Sequence, residues 1–247
     1  PLRDRSFKKY AAYTSQMDYA VGQLVETLEC LNQRDNTIII FSSDNGAISR
    51  APLHASDQYP GWQEEMPRLG SNKPFRGQKA QLYEGGIRTP TLIDWRGVLP
   101  SGICHHPMHI VDWMPTLTKL VGCVPSHDPQ WDGVDIWPAI TKGEAIESRS
   151  IFWNFKGTQF GIRYHDWKLT TTDEMRPENS ELYNIGIDPY ETEELSKEYP
   201  EIVKKLSKRL ELMANQRPPL GDKPLLMDPP LPYIYGQKEN QLPPKWL

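Results

Sequence analysis

From Tyr10 the apolar positions recur as Tyr13, Met17, Val21, Leu24, Leu28 and Leu31, in steps of three or four. That spacing predicts an amphipathic helix of about six turns with one apolar face, ending near Asn32. Gln33 to Asn36 read as a polar turn, and Thr37-Ile38-Ile39-Ile40-Phe41 follows as a β-branched run without alternation. A short run that is apolar on both faces suits a central parallel strand covered by helices on both sides. It stops at Ser42-Ser43-Asp44-Asn45-Gly46. Residues 47–78 have no periodicity and many Pro, Gly, Ser and Asp, and a loop of that length inside a compact domain is usually functional. Thr91 to Trp95 is a second strand candidate. A second helix is signalled by Asp112 as N-cap, Pro115 in the first turn, Leu117, Leu120 and Val121 on one side, and Gly122 as the stop. Strand, loop, strand, helix is the grammar of an α/β layer fold.

After Lys142-Gly143 the pattern changes to short strands rich in aromatics: Ser150 to Phe155, Phe160 to Tyr164 and Trp167 to Thr171. Phe155 to Gln159 and His165-Asp166 read as hairpin turns, which predicts a small antiparallel sheet, and Glu181-Leu182-Tyr183-Asn184 is a further strand candidate. A charged amphipathic helix is expected from about Glu198 to Met213, with Ile202, Leu206 and Leu210 on its buried face. The expected organisation is an α/β unit over residues 1–143, an antiparallel sheet with a helix over 144–214, and a Pro-rich tail over 215–247. Eight of the 23 prolines fall in the last 31 residues, which favours extended chain there.

Composition narrows the function classes. The 28 Lys and Arg against 32 Asp and Glu give a net charge of −4 over 247 residues, with no basic block, which argues against nucleic acid as a partner. No run approaches the ~18 apolar residues of a membrane span, and nothing at the amino terminus reads as a signal peptide. Cys30, Cys104 and Cys123 are too few and too scattered for a disulfide framework or a closed zinc site. There is no Asn-x-Ser/Thr sequon.

Two segments carry candidate chemistry. Asp44 and Asn45 stand at the carboxyl end of a buried strand, the edge where open α/β sheets place ligands. Two adjacent oxygen donors suit a hard cation such as Ca²⁺ or Mg²⁺, whereas a zinc pair would call for His; the plain alternative is that Asp-Asn-Gly is a turn tripeptide. Lys79 sits between Gly77 and Gly85-Gly86, which let backbone approach closely, and Arg76 and Arg88 make the segment locally basic enough to receive an oxyanion. The plain alternative for a loop lysine is a solvated charge.

The order and flanks of these segments carry a family resemblance. The helical stretch through Asp18 to Gly22, the strand into Phe41-Ser42-Ser43-Asp44-Asn45-Gly46, then Gly77-Gln78-Lys79, Tyr83-Glu84-Gly85-Gly86-Ile87-Arg88 and Asp112-Trp113-Met114-Pro115-Thr116-Leu117 closely resemble the sulfatase family of the alkaline phosphatase superfamily. Asp132-Gly133-Val134-Asp135, Glu181 to Asn184 and Asp188-Pro189 match as well. The resemblance runs from about Tyr10 to Met213. It implies the carboxyl-terminal part of a mixed sheet sandwiched by helices, followed by the small antiparallel subdomain. It further implies that Asp44 and Asn45 are two ligands of an active-site Ca²⁺, and that Lys79 contacts the substrate sulfate and acts in catalysis. In the family the nucleophile is a formylglycine made from Cys or Ser in a Cys/Ser-x-Pro-x-Arg signature near the amino-terminal end, a segment this chain lacks. The paired aspartates that complete the metal site are also expected upstream. The start at Pro1 is accordingly read as the edge of a carboxyl-terminal portion, inactive by itself.

Two lookalikes are set aside. Cys123-Val124-Pro125-Ser126-His127 has His in place of the signature arginine and follows an ordinary helix exit. Cys104-His105-His106-Pro107-Met108-His109 looks like a soft-metal cluster, but on a strand His105 and His109 share one face while His106 takes the other. His54, Tyr59 and Trp62, in the long loop, could line a substrate pocket. The expected activity is hydrolysis of a small-molecule or carbohydrate sulfate ester. The alternatives are a sulfatase-like protein that binds sulfated ligands without turnover, or a related phosphodiesterase. Asn45, standing where a two-zinc enzyme would supply His, favours the sulfatase. Family members are secreted, lysosomal or periplasmic, and any targeting signal would lie upstream of Pro1.

Overall fold

The computed structural model describes residues 2–48, 70–146, 148–155, 159–171 and 179–215. Helix α1 (Leu2–Cys30) is longer than the apolar spacing alone predicts. It stops as expected: Asn32 takes the left-handed conformation (φ 53°), its N–H bonds the Glu29 carbonyl at 3.0 Å, and Gln33 N–H reaches the Leu28 carbonyl at 2.8 Å. Those two bonds make a Schellman stop, for which Asn is the usual alternative to Gly. Ion pairs of Arg96 with Glu29 and of Arg34 with Asp94, and the Trp95 indole N–H on the Asp35 carbonyl at 2.8 Å, fasten this end of α1 to the strand that follows the long loop. The apolar stripe of α1 is uncovered, with Tyr13 78% and Leu24 55% exposed.

β1 (Ile39–Ser42) pairs antiparallel with β2 (Thr91–Asp94), in the register Ile39↔Asp94 to Ser42↔Thr91. The expectation of a central parallel strand buried on both faces is not met among the described residues. β2 is the neighbour seen, and Phe41 and Leu92 are exposed. An apolar run announces that both faces can be covered but says nothing about the direction of the neighbouring strand. Among the described residues between them lies one short turn of helix, α2 (Glu84–Ile87), with Glu84, Gly85 and Gly86 buried.

α3 (Trp113–Leu120) begins after Asp112 and is followed by Gly122 at φ +68°. Asp112 does not cap it through its side chain, as the sequence suggested. Its fully buried carboxylate accepts from His109 N–H (2.7 Å) and Val134 N–H (3.1 Å) and pairs with Arg149. The buried face of α3 is also displaced from the expected one: Pro115 and Thr116 are inside, while Val121 is 75% exposed. Thr116 Oγ1 accepts from Ile136 N–H at 2.9 Å, so the Asp112–Leu117 and Asp132–Asp135 segments are locked together just before α4 (Trp137–Lys142).

The aromatic-rich half forms a four-stranded antiparallel meander: β3 (Ser150–Phe155), β4 (Gln159–Tyr164), β5 (Trp167–Thr171) and β6 (Ser180–Asn184), in that order. The β4–β5 turn is His165-Asp166 as predicted, with His165 at φ +53°; the turn between β3 and β4 lies outside the described residues. Ile151, Phe160, Ile162, Leu169 and Leu182 are buried. α5 (Pro200–Asn215) follows, with Val203, Leu206 and Leu210 buried; Val203 takes the place the periodicity gave to Ile202. Glu194 ties its approach to β6 by accepting from Leu182 N–H at 3.0 Å. No helix among the described residues is long and apolar enough to cross a membrane.

Candidate functional site

Asp44 and Asn45 leave the end of β1, Asp44 exposed and Asn45 half-buried, in a turn held by Ser43, whose hydroxyl donates to the Asn45 carbonyl at 3.0 Å. The next two residues are sewn to the lysine loop. Gly46 N–H donates to the Gly86 carbonyl (2.9 Å), and the Ala47 carbonyl accepts from Lys79 N–H (3.2 Å). Asn72 supplies the remaining stitches: its Oδ1 accepts from Ala47 N–H at 2.7 Å, and its Nδ2 donates to the carbonyls of Ala47 (2.8 Å) and Gly77 (3.1 Å). Asp44, Asn45 and Lys79, separated by 34 residues of sequence, therefore lie on two backbone turns bonded directly to one another. Gly46 is required here because a β-carbon on it would stand 1.8 Å from the Gly85 carbonyl oxygen.

Sequence reasoning passed over Asn72, whose only local signal is an amide flanked by the loop prolines and glycines. Replacing it by Ala removes three hydrogen bonds from half-buried backbone. We expect a loss of about 1–3 kcal/mol, read by urea denaturation. A loss within experimental error would mean that the turns hold together without it.

The two arginines counted as local positive charge are already engaged. Arg76 lies over the Tyr83 ring (4.0 Å), donates to the Tyr183 hydroxyl at 2.6 Å and faces Glu181 at 3.9 Å. Glu181 in turn accepts from both phenols, at 2.7 Å from Tyr83 and 2.9 Å from Tyr183. Burial, followed by the Glu181 hydrogen bond and charge, pushes the Tyr83 phenol up to about 12 and the Tyr183 phenol further, so both remain donors at neutral pH. Arg88 pairs with Glu84 (3.6 Å) and covers the Phe75 ring. Lys79 is left as the exposed cation of the loop between Gly77 and Gly85.

Beneath the loop is a charged cluster that periodicity did not reveal. Lys168 of β5 is fully buried and donates to Glu84 and Glu191, 2.8 Å each, while Glu191 Oε2 also accepts from Glu84 N–H at 2.7 Å. The meander thus grips the start of α2, whose Gly86 bonds Gly46. Burial raises the Glu191 carboxyl, opposed by the Lys168 charge.

The set-aside motifs stay apart. Cys30, Cys104 and Cys123 are free and exposed. His109 is half-buried, accepts from Val111 N–H through Nδ1 and packs edge-on against Trp153, and burial holds its imidazole below the ordinary value. Among the described residues no three His, Cys, Asp or Glu converge on a metal-sized site. His54, Tyr59 and Trp62 lie outside the described residues.

The family model described as Sulfatase matches residues 2–123, the stretch that contains both turns. The chain belongs to the sulfatase family. This sulfatase chain is 31% identical to arylsulfatase J of Mus musculus over 250 aligned residues, which cover 82% of the chain and 39% of that protein. It is 33% identical to N-acetylgalactosamine-6-sulfatase of Homo sapiens over 146 residues, 59% of the chain and 25% of that protein. The crystal structure of Ps i-CgsB in complex with k-i-k-neocarrahexaose superposes with a TM-score of 0.68 at 29% identity, over 85% of this chain and 43% of the other. The sulfatase chain spans less than half the length of the curated relatives it matches. Its fold is the alkaline-phosphatase-like fold of its structural neighbours.

Proposed function

We propose that the chain supplies the metal-and-anion side of a sulfuric ester hydrolase: Asp44 and Asn45 as two ligands of Ca²⁺, and Lys79 as the cation that meets the sulfate. The observation that carries this reading is the Lys79 N–H to Ala47 carbonyl bond, with the Asn72 clamp across it. It ties the turn bearing the two oxygen donors to the loop bearing the exposed ammonium. The donor chemistry fits a hard cation, being one carboxylate and one carboxamide with no imidazole or thiolate alongside among the described residues. Two ligands are fewer than Ca²⁺ takes, and the remaining carboxylates, like the formylglycine nucleophile, belong in this reading to an upstream segment. Residues 1–143 then complete the catalytic α/β unit, with 144–214 as the supporting subdomain and 215–247 as a Pro-rich tail.

Asp44 and Asn45 would hold Ca²⁺ at the edge of β1, and the cation would supply Lewis acidity toward a sulfuryl oxygen. Lys79 holds its ammonium against the sulfate oxygens and draws off negative charge as the S–O bond of the ester breaks, which is electrostatic stabilisation without proton transfer. A carbohydrate or small-molecule sulfate ester is the substrate class that follows; the neocarrahexaose complex of Ps i-CgsB supports a saccharide.

The ligand assignment is tested by melting. In the chain joined to its upstream segment, Ca²⁺ raises Tm by mass action on the native state, and Asp44→Ala removes most of that rise. An equal Ca²⁺ response in parent and Asp44→Ala would take Asp44 out of the metal site.

A further inference from the structure

A cavity of about 210 Å³ opens between the segment after α4 and the β4–β5 turn, lined by His106, Ser148, Arg149, Arg163, His165 and Asp166 among others. None of these residues takes part in the Asp44–Lys79 site. Both guanidiniums hold donors in reserve. Arg149 spends one terminal nitrogen on Asp112, its Nε is closed off from solvent, and the other terminal nitrogen has no partner among the described residues. Arg163 gives Nε–H to the His165 carbonyl at 2.8 Å and stands 4.0 Å from Asp166, beyond hydrogen-bond reach. Each guanidinium carries five N–H donors, of which most are unspent among the described residues.

The surroundings add positive charge and hydroxyls. His165 bonds Ser148 Oγ through Nε2 at 2.8 Å and stacks edge-on to Tyr164 at 4.3 Å, and the Tyr164 ring lies under Arg209 (3.9 Å) and Lys205 (5.3 Å) of α5. Of the described lining residues Arg149 and Arg163 are the guanidiniums and Asp166 the carboxylate, while Asp112 and Glu84 act on the two guanidiniums from outside the lining. Two partly free guanidinium forks beside one cavity match a tetrahedral oxyanion better than any neutral ligand. The volume lies below the ~300–1,000 Å³ of a whole drug-sized site, so it takes a group and not an entire ligand.

We propose that this cavity binds a sulfate group, free or carried on a saccharide, at a place separate from Lys79. The choice of sulfate among tetrahedral oxyanions rests on the sulfatase reading; the site itself rests on the cavity and its arginines.

The 247-residue chain is titrated with sodium sulfate at constant ionic strength set by sodium chloride, with Tm and the arginine Nε–H resonances as readouts. We expect Arg163→Gln to weaken the sulfate response at least tenfold, Arg163→Lys to weaken it less because the charge survives without the fork, and Lys8→Ala, at an exposed position of α1 outside both sites, to leave it within twofold. The response is the sulfate-induced change in each variant, so a lower starting stability does not obscure it. A sulfated disaccharide binding several-fold more tightly than inorganic sulfate assigns the site to a carried group; equal binding assigns it to the free ion. Loss of the response in Lys79→Ala with retention in Arg163→Gln would overturn the second site while leaving the proposed active site intact. Absence of any sulfate-specific response would overturn it as well. An equal response to inorganic phosphate would overturn the sulfate assignment.

Discussion

Lys168→Met lowers the stability of the chain by about 3–5 kcal/mol in urea denaturation, the cost of leaving buried carboxylates without their partner. Lys168 and Glu191 have no side-chain exposure and Glu84 has 5%, so water cannot take the place of the lost ammonium. The methionine fills much of the volume, and the penalty is therefore electrostatic and not a cavity. Neutralising the acids at the same time, as Lys168→Met with Glu84→Gln and Glu191→Gln, recovers part of the loss, because a buried ion cluster is worth little against a neutral one of similar shape. A single-variant loss below 1 kcal/mol would show that the cluster is hydrated or that one acid already carries a proton. The cluster also matters to the site: Glu84 begins the turn whose Gly86 carbonyl accepts from Gly46 N–H. Loosening it should reach Asp44 and Asn45 through two short backbone links.

Lys79→Ala, in the chain joined to its upstream segment, lowers kcat/KM for an aryl sulfate by about 2–4 kcal/mol, roughly 30- to 1,000-fold. The side chain is exposed and, among the described residues, Lys79 is held through its backbone N–H, so the melting temperature stays near that of the parent. That contrast separates the two predictions, since Lys168 acts on stability first and Lys79 on rate alone. Lys79→Arg keeps the charge but changes its shape and recovers part of the rate. An unchanged rate in Lys79→Ala removes Lys79 from the reaction.

Local rules reached most of the elements and few of the contacts between them. The spacing of Tyr13 to Leu31 found α1, and Asn32 its stop; the aromatic runs found β3, β4 and β5, and His165-Asp166 the turn that joins two of them. Those features depend on neighbours in sequence. Strand direction did not follow, because Ile38 to Phe41 carry the same apolar pattern whichever way the neighbouring strand runs. Nor did the Glu84–Lys168–Glu191 cluster, whose members lie 84 and 23 residues apart and look like ordinary charges in an exposed turn, a strand and a loop. Asp112 illustrates the limit well. Its place before a helix suggested a cap, while two long-range partners, Val134 N–H and Arg149, with His109 N–H close by in sequence, turned its carboxylate inward. Arg76 and Arg88 looked free for an anion until Tyr83, Tyr183, Glu181 and Glu84 were found against them. At the candidate site the residue types and their order were legible, and the device that joins the two turns, the Asn72 amide, was not.

The central claim is that Asp44, Asn45 and Lys79 serve sulfate-ester cleavage with calcium. It is tested most directly by the chain joined to its formylglycine-bearing segment, stripped of metal and reloaded with Ca²⁺ or Zn²⁺, acting on an aryl sulfate and on the aryl phosphate with the same leaving group. Ca²⁺ is expected to restore cleavage of the sulfate ester where Zn²⁺ does not, with the restored rate suppressed in Lys79→Ala. Faster cleavage of the phosphate ester, driven by Zn²⁺ and indifferent to Lys79, would contradict it.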